Sequence, residues 1–189
     1  MKKVIFIYLL MLFNCFIFIT AVSSQEKTDQ KDQEAAEQMK AKAELKNAKG
    51  ETVGTVDVTE SDDTVTLEID LKALPSGKHS FHIHEKGECT PPDFTSAGDH
   101  FNPGNKQHGF LNPNGPHAGD LPNIEVKEDG TASVTIKTKL VTLKKDAANS
   151  LFKDGGTSFV IHANEDDYIT DPAGKGGDRI ACGLITPAE

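Results

Sequence analysis

The sequence predicts an all-β domain: a sandwich or barrel of about eight short antiparallel strands with one long irregular loop. Three observations carry that expectation. Apolar residues recur with a period of two, polar turn signals separate the periodic stretches, and hardly any segment has helical period. In the clearest stretch, Val65, Leu67, Ile69 and Leu71 alternate with Thr64, Thr66, Glu68, Asp70 and Lys72, as a half-buried strand requires. Similar stretches run from Ala41 to Leu45, Val53 to Val58, His79 to His84, Ala132 to Leu140, Ser158 to His162 and Arg179 to Ile185. Turn signals between them include Asn47-Ala48-Lys49-Gly50, Pro75-Ser76-Gly77 and Glu128-Asp129-Gly130. The stretch from Phe101 to Asn123, FNPGNKQHGFLNPNGPHAGDLPN, follows neither period. A loop of about 20 residues inside a compact domain is commonly functional, or is held by something other than a strand ladder.

The chain has 189 residues, 37% of them hydrophobic and none of them Trp, enough for one core of ordinary size. Residues 1–23 fall outside that core. Lys2 and Lys3 precede the apolar run Val4–Val22, and Ala21-Val22-Ser23 resembles a signal-peptidase site. The segment reads as a signal peptide or, because the run approaches the roughly 20 residues that span a bilayer, as a retained N-terminal membrane anchor. Either reading exports the protein, to the cell surface or beyond it. Cys15 is a poor lipidation site, since Asn14 precedes it and the apolar run continues beyond it. Residues 24–40, dense in Gln, Glu, Lys and Asp, read as a polar disordered tether, and 41–189 as the folded domain. The formal charge is −9, and removal of residues 1–23, which takes away Lys2 and Lys3 but no acid, moves it to −11. That balance argues against nucleic acid or anionic lipid as a partner. Cys89 and Cys182 are then the only cysteines of the exported part, and an even count in an oxidising compartment reads as a disulfide, with two buried free thiols as the alternative. Such a bridge closes a loop for which the chain-entropy account gives at most about 4 to 5 kcal/mol.

Of seven histidines, five fall between positions 82 and 117. In Phe81-His82-Ile83-His84 the strand period puts both imidazoles on one face and Phe81 and Ile83 on the other. Alone this pattern is weak, since exposed strand histidines are common. His100, His108, His117 and Asp120 offer three nitrogens and one carboxylate, a full tetrahedral shell of the closed, structural zinc kind, on a loop that Gly and Pro residues allow to bend. A solvated His-rich turn is the alternative. His162 ends a strand on which Phe159 and Ile161 share the opposite face, and it joins the candidates. These residues describe a nitrogen-rich site suited to copper, zinc or nickel, beside a zinc-like one.

Four motifs in order, His79-Ser80-Phe81-His82-Ile83-His84-Glu85-Lys86-Gly87, Ser96-Ala97-Gly98-Asp99-His100-Phe101-Asn102-Pro103, His117-Ala118-Gly119-Asp120-Leu121-Pro122-Asn123 and Gly177-Asp178-Arg179-Ile180-Ala181-Cys182-Gly183, closely resemble copper-zinc superoxide dismutases of the bacterial exported type. The likeness runs from about Ala41 to Ile185. It implies a flattened Greek-key β-barrel, a sandwich architecture. It further implies copper on His82, His84, His100 and His162, zinc on His100, His108, His117 and Asp120, and His100 as the shared ligand. Asp166 would link ligands of the two metals and orient them, Cys89 and Cys182 would form the family disulfide, and His79 would pack without ligating. The implied reaction takes superoxide to oxygen and hydrogen peroxide by alternate reduction and reoxidation of copper, with Arg179 and His100 as catalytic residues. Arg179 would draw in the anion, helped by Lys175 in the short loop before it, and the attraction would weaken with salt. Asp99 departs from the family pattern, which more often has a small or neutral residue before the shared histidine. A metal-holding module with little turnover is the competing reading. Both a monomer and a homodimer fit the sequence.

Overall fold

The computed structural model describes residues 38–188. The leader or anchor expected at 1–23 and the tether as far as residue 37 lie outside the described residues. Ten strands form among the described residues: β1 (Met39–Asn47), β2 (Thr52–Ser61), β3 (Thr64–Leu71), β4 (Gly77–His79), β5 (Phe81–His84), β6 (Ile124–Val126), β7 (Ala132–Thr138), β8 (Ser158–His162), β9 (Arg179–Leu184) and β10 (Thr186–Pro187). Among the described residues the single helical element is a 3-10 turn, Thr95–Ala97. β1 begins at Met39, so Met39 and Lys40, expected in the tether, belong to the first strand. Met39 packs against the core and pairs with Glu60, and the Lys40 carbonyl accepts from Ala188 N.

All strand pairs are antiparallel, and the main sheet runs β5-β8-β9-β1-β2-β3-β7, with β10 against β1. Its two edges meet through a small ribbon. β7 is reached from β6 by the turn at Lys127–Thr131, β6 pairs with β4, and only Ser80 separates β4 from β5. The sheet is therefore curled on itself. Inward positions of β1, β2 and β3 follow the period of two: Ala41, Ala43 and Leu45, then Val56 and Val58, then Val65, Leu67, Ile69 and Leu71 are all buried. Phe81 and Phe159 stack at 5.2 Å between ring centroids where β5 meets β8.

β5 and β8 break the half-buried pattern, because every residue of both strands is buried. Phe81, Ile83, Phe159 and Ile161 face the core; on the other face the long loop lies over β5, while Val160 of β8 packs with Phe94, Ala97 and the Cys89–Cys182 pair. The loop is tied to β5 by main-chain bonds: Phe101 N donates to Ile83 O and Ile83 N to Gly119 O, both at 2.8 Å. Gly119 is required here, since a Cβ would collide with the Ile83 carbonyl. Cys89 and Cys182 are joined, with their Cα atoms 5.6 Å apart, which pins the segment between β5 and His100 to β9.

Leu67 is fully buried and Glu68 exposed on the same strand. Leu67→Ala is expected to lower unfolding free energy by about 2 to 5 kcal/mol. Glu68→Ala should stay within about 0.5 kcal/mol. Denaturant titration of the two variants checks both values.

Candidate metal centre

All seven histidines are buried, which is unusual for a side chain of intermediate burial preference. His79 stands apart from the other six. Its Nδ1 bonds the carbonyl of His162 and its Nε2 that of Pro75, at 2.8 and 2.9 Å, so it packs between main-chain segments as the sequence suggested.

The remaining six converge on two adjacent points. Around the first lie His82 and His84 from β5, His100 at the start of the loop and His162 at the end of β8, offering ligand atoms within 4.8 Å of one another. The strand period supplies His82 and His84 on one face, and the β5–β8 pairing brings β8 beside them. The outer nitrogens of three of these rings are held. His82 Nε2 bonds Asp166 Oδ2 at 2.8 Å, His84 Nδ1 bonds Gly98 O at 2.9 Å, and His162 Nδ1 bonds Gly177 O at 3.1 Å. A ring nitrogen that faces a carbonyl carries the proton, so His84 Nε2 and His162 Nε2 face each other as lone pairs at 3.4 Å. Two acceptors in that position repel unless a cation lies between them. Burial also holds all four imidazoles below their ordinary pKa, His100 at about 4 and His162 at about 3, so they stay neutral and able to ligate.

At the second point, Asp120 Oδ1 lies 3.1 Å from His100 Nδ1, 3.0 Å from His108 Nδ1 and 3.3 Å from His117 Nδ1. A tetrahedral ion with bonds of about 2.0 to 2.1 Å separates its ligand atoms by roughly 3.3 Å. His82 also lies close to this group, but its Nε2 is taken by Asp166. Asp120 Oδ2 accepts from Gly109 N and His117 N, which fixes the carboxylate. Burial alone would raise its pKa, yet the three imidazoles and these main-chain donors hold it far below the carboxylate range. Burial likewise pulls His108 down, but bonds to Asp120 and to Asp166 outweigh it and carry this histidine up to about 9.

Asp166 spans the two points: Oδ2 accepts from His82 and Oδ1 from His108, at 2.8 and 3.0 Å. Gly174 passes so close that a Cβ there would strike the Asp166 carboxylate. His100 belongs to both points, Nδ1 to one and Nε2 to the other. Among the buried polar atoms without a hydrogen-bond partner, three are His82 Nδ1, His100 Nε2 and His117 Nδ1. Each such atom costs about 1 to 3 kcal/mol if nothing meets it. Their inward placement fits two metal ions, and all eight positions that the sequence nominated as ligands or linker, His82, His84, His100, His108, His117, Asp120, His162 and Asp166, are brought together.

Arg179, half-buried, lines the cavity beside His162. A bulge shifts the β8–β9 register between Ile161 and His162, so that Arg179, and not Ile180, lies opposite His162. Its Nη1 and Nη2 donate to Phe94 O and Gly98 O, both at 2.7 Å. Lys175 is elsewhere engaged, 3.2 Å from Asp167 Oδ2. What sequence reasoning missed is the part played by the carbonyls of Gly98, Gly177 and Phe94, for which no side chain gives a signal.

A family model for copper/zinc superoxide dismutase (SODC) matches residues 52–185. The chain belongs to the copper/zinc superoxide dismutase family. Superoxide dismutase [Cu-Zn] 2 of Aquifex aeolicus is 52% identical over 151 residues, covering 79% of this chain and 88% of that protein. Among solved structures, a SOD-like protein from Bacillus subtilis matches with a TM-score of 0.73 and 46% identity, over 76% of this chain and 96% of that one. The Cu/Zn superoxide dismutase from Brucella abortus matches with a TM-score of 0.64 and 32% identity, over 78% of this chain and 99% of that one.

Asp166→Asn replaces an acceptor that serves two imidazole N–H groups with an amide that can serve one. Metal affinity is expected to fall by about 10- to 100-fold in chelator competition. In the metal-free protein, the lowered pKa values of His82, His84, His100 and His162 mean that the unfolded chain takes up protons near 6.5 that the fold refuses. The raised value of His108 works in the other direction, one group against four. The denaturant midpoint of the metal-free protein should therefore drop as pH is lowered from 7 through about 6.5.

Proposed function

We propose that this protein is a copper-zinc superoxide dismutase, converting two superoxide anions and two protons to dioxygen and hydrogen peroxide. The observation that carries the reading is the pair of buried nitrogen clusters sharing His100, opening beside a fixed guanidinium. His82 Nδ1 and the Nε2 atoms of His84, His100 and His162 would hold copper. His100, His108 and His117 through Nδ1, with Asp120 Oδ1, would hold zinc. When bound, copper supplies a one-electron carrier that alternates between two oxidation states, and zinc a fixed charge.

The chain does the rest. Gly98 O, Gly177 O and Asp166 fix the tautomer and orientation of His84, His162 and His82, so those rings present the same nitrogen inward throughout. Arg179, anchored on Phe94 O and Gly98 O, offers its remaining N–H groups to a small anion at the opening. His100 Nε2 is the inward atom of the ring common to both clusters, and there the chain would hold a proton between the two halves of the reaction. That atom can carry one of the two protons, and the other comes from solvent through the cavity that opens onto His84, His100 and His162.

We further propose that the protein works outside the cytoplasmic membrane. Lys2, Lys3, the apolar run Val4–Val22 and a disulfide-linked domain support this reading.

The test is to load the protein with copper and zinc and follow superoxide decay by pulse radiolysis. Decay no faster than free-ion controls would remove the dismutase reading. His162→Ala should lose copper and activity while keeping zinc, as read by metal analysis; loss of both metals contradicts the division of ligands. Arg179→Ala should keep both metals and slow the reaction by about tenfold or more.

A further inference from the structure

Carboxylates outnumber cations where an anion must enter. The cavity of about 390 Å³ that opens onto His84, His100 and His162 is lined by Glu85, Asp99 and Asp171, against Lys106 and Arg179. Asp99 directly precedes His100, its side chain is exposed, and its carbonyl accepts from Glu85 N at 2.9 Å, which holds both acids at the rim. Asp99 and Asp93 both act on the Arg179 guanidinium, lessening the positive field it presents outward. Lys175, the other cation expected to help, is bound to Asp167 and does not line the cavity. The chain as a whole carries −9.

The two divalent ions leave the loaded chain negative, so a superoxide ion meets repulsion at long range and again at the rim, and finds attraction only at the last step, beside Arg179 and the metal ions behind it. We infer that Asp99 is a rim residue that restrains anion entry, so that the reaction quickens with ionic strength, opposite to the salt dependence the sequence suggested. The inference rests on the dismutase reading. Salt favours entry because repulsion acts across water, where screening falls within about 10 Å at 0.1 M, while the Arg179 contact is short and partly buried. Replacing Asp99 with Asn removes one charge and keeps the size of the side chain. At the roughly 1 kcal/mol of two charges about 4 Å apart in water, its removal corresponds to an effect of about three- to fivefold.

Two measurements on the copper- and zinc-loaded protein test this. The second-order constant for superoxide decay is followed from about 10 mM to about 0.2 M ionic strength, a range over which the screening length shrinks about fourfold. Azide, a small monovalent anion that does not turn over, is titrated against the copper absorption band. Asp62→Asn, at the β2–β3 turn and outside the cavity lining, changes the net charge equally and serves as the control. The expected result is a wild-type rate constant that rises with salt. Asp99→Asn should then be faster, and bind azide more tightly, by about three- to fivefold at low salt, with Asp62→Asn close to wild type. A wild-type constant that falls with salt overturns the inference, as does an Asp99→Asn variant indistinguishable from Asp62→Asn. If the protein does not accelerate superoxide decay at all, the dismutase reading fails, and the azide titration still decides the role of Asp99.

Discussion

Every buried ring nitrogen needs a partner, and six imidazoles gathered between one face of a sheet and a loop cannot all be given one by protein groups. The structure meets the requirement in layers. Carbonyls of Gly98 and Gly177 and the carboxylate of Asp166 take the outer nitrogens of His84, His162 and His82, which leaves the inner ones directed at a common point. Asp120 faces three Nδ1 atoms while its other oxygen is held by the main chain. The demand for inward charge compensation is thus set by the hydrogen bonds on the outside. The same carboxylates that orient the rings also keep their own negative charge deep in the protein, held there by the donors around them.

The curled sheet contributes a rigid floor with one face dry on the core side. Phe81, Ile83, Phe159 and Ile161 lock β5 and β8 into the core, so the histidines between them have little freedom to move apart. The loop completes the chamber because its backbone follows β5 closely at Phe101 and Gly119, placing His100 and Asp120 opposite His84 and His82. Ligands distant in sequence meet through main-chain pairing of a segment without strand period.

Much of this was legible in the sequence. The alternation in β3 and in Phe81-His82-Ile83-His84 sets one face against the other whatever the partner strand, and the His and Asp content of the loop marked it as a candidate ligand segment. The closing strand β6 was not legible, because Ile124-Glu125-Val126 is too short to show a period. The partners of the outer nitrogens are carbonyls, which every residue has. The burial of both faces of β5 and β8 depends on the loop and on the disulfide-pinned segment around Phe94 and Ala97 lying over them, a tertiary fact that the period of two cannot express. Lys175 looked like a free cation in a glycine-rich loop, and only the fold brings Asp167 to it.

The bulge between β8 and β9 separates recognition from architecture. One residue of spacing decides whether the side chain opposite His162 is Arg179 or Ile180, while Ala181 keeps its place in the core and Cys182 its sulfur bridge. Strand phase at this point is set by a single residue, apart from the contacts that shape the barrel. A scaffold of this kind sheds its chemistry more readily than its form, and the presence of a guanidinium in phase with the ligand strand is a sharper mark of a working member than the fold itself.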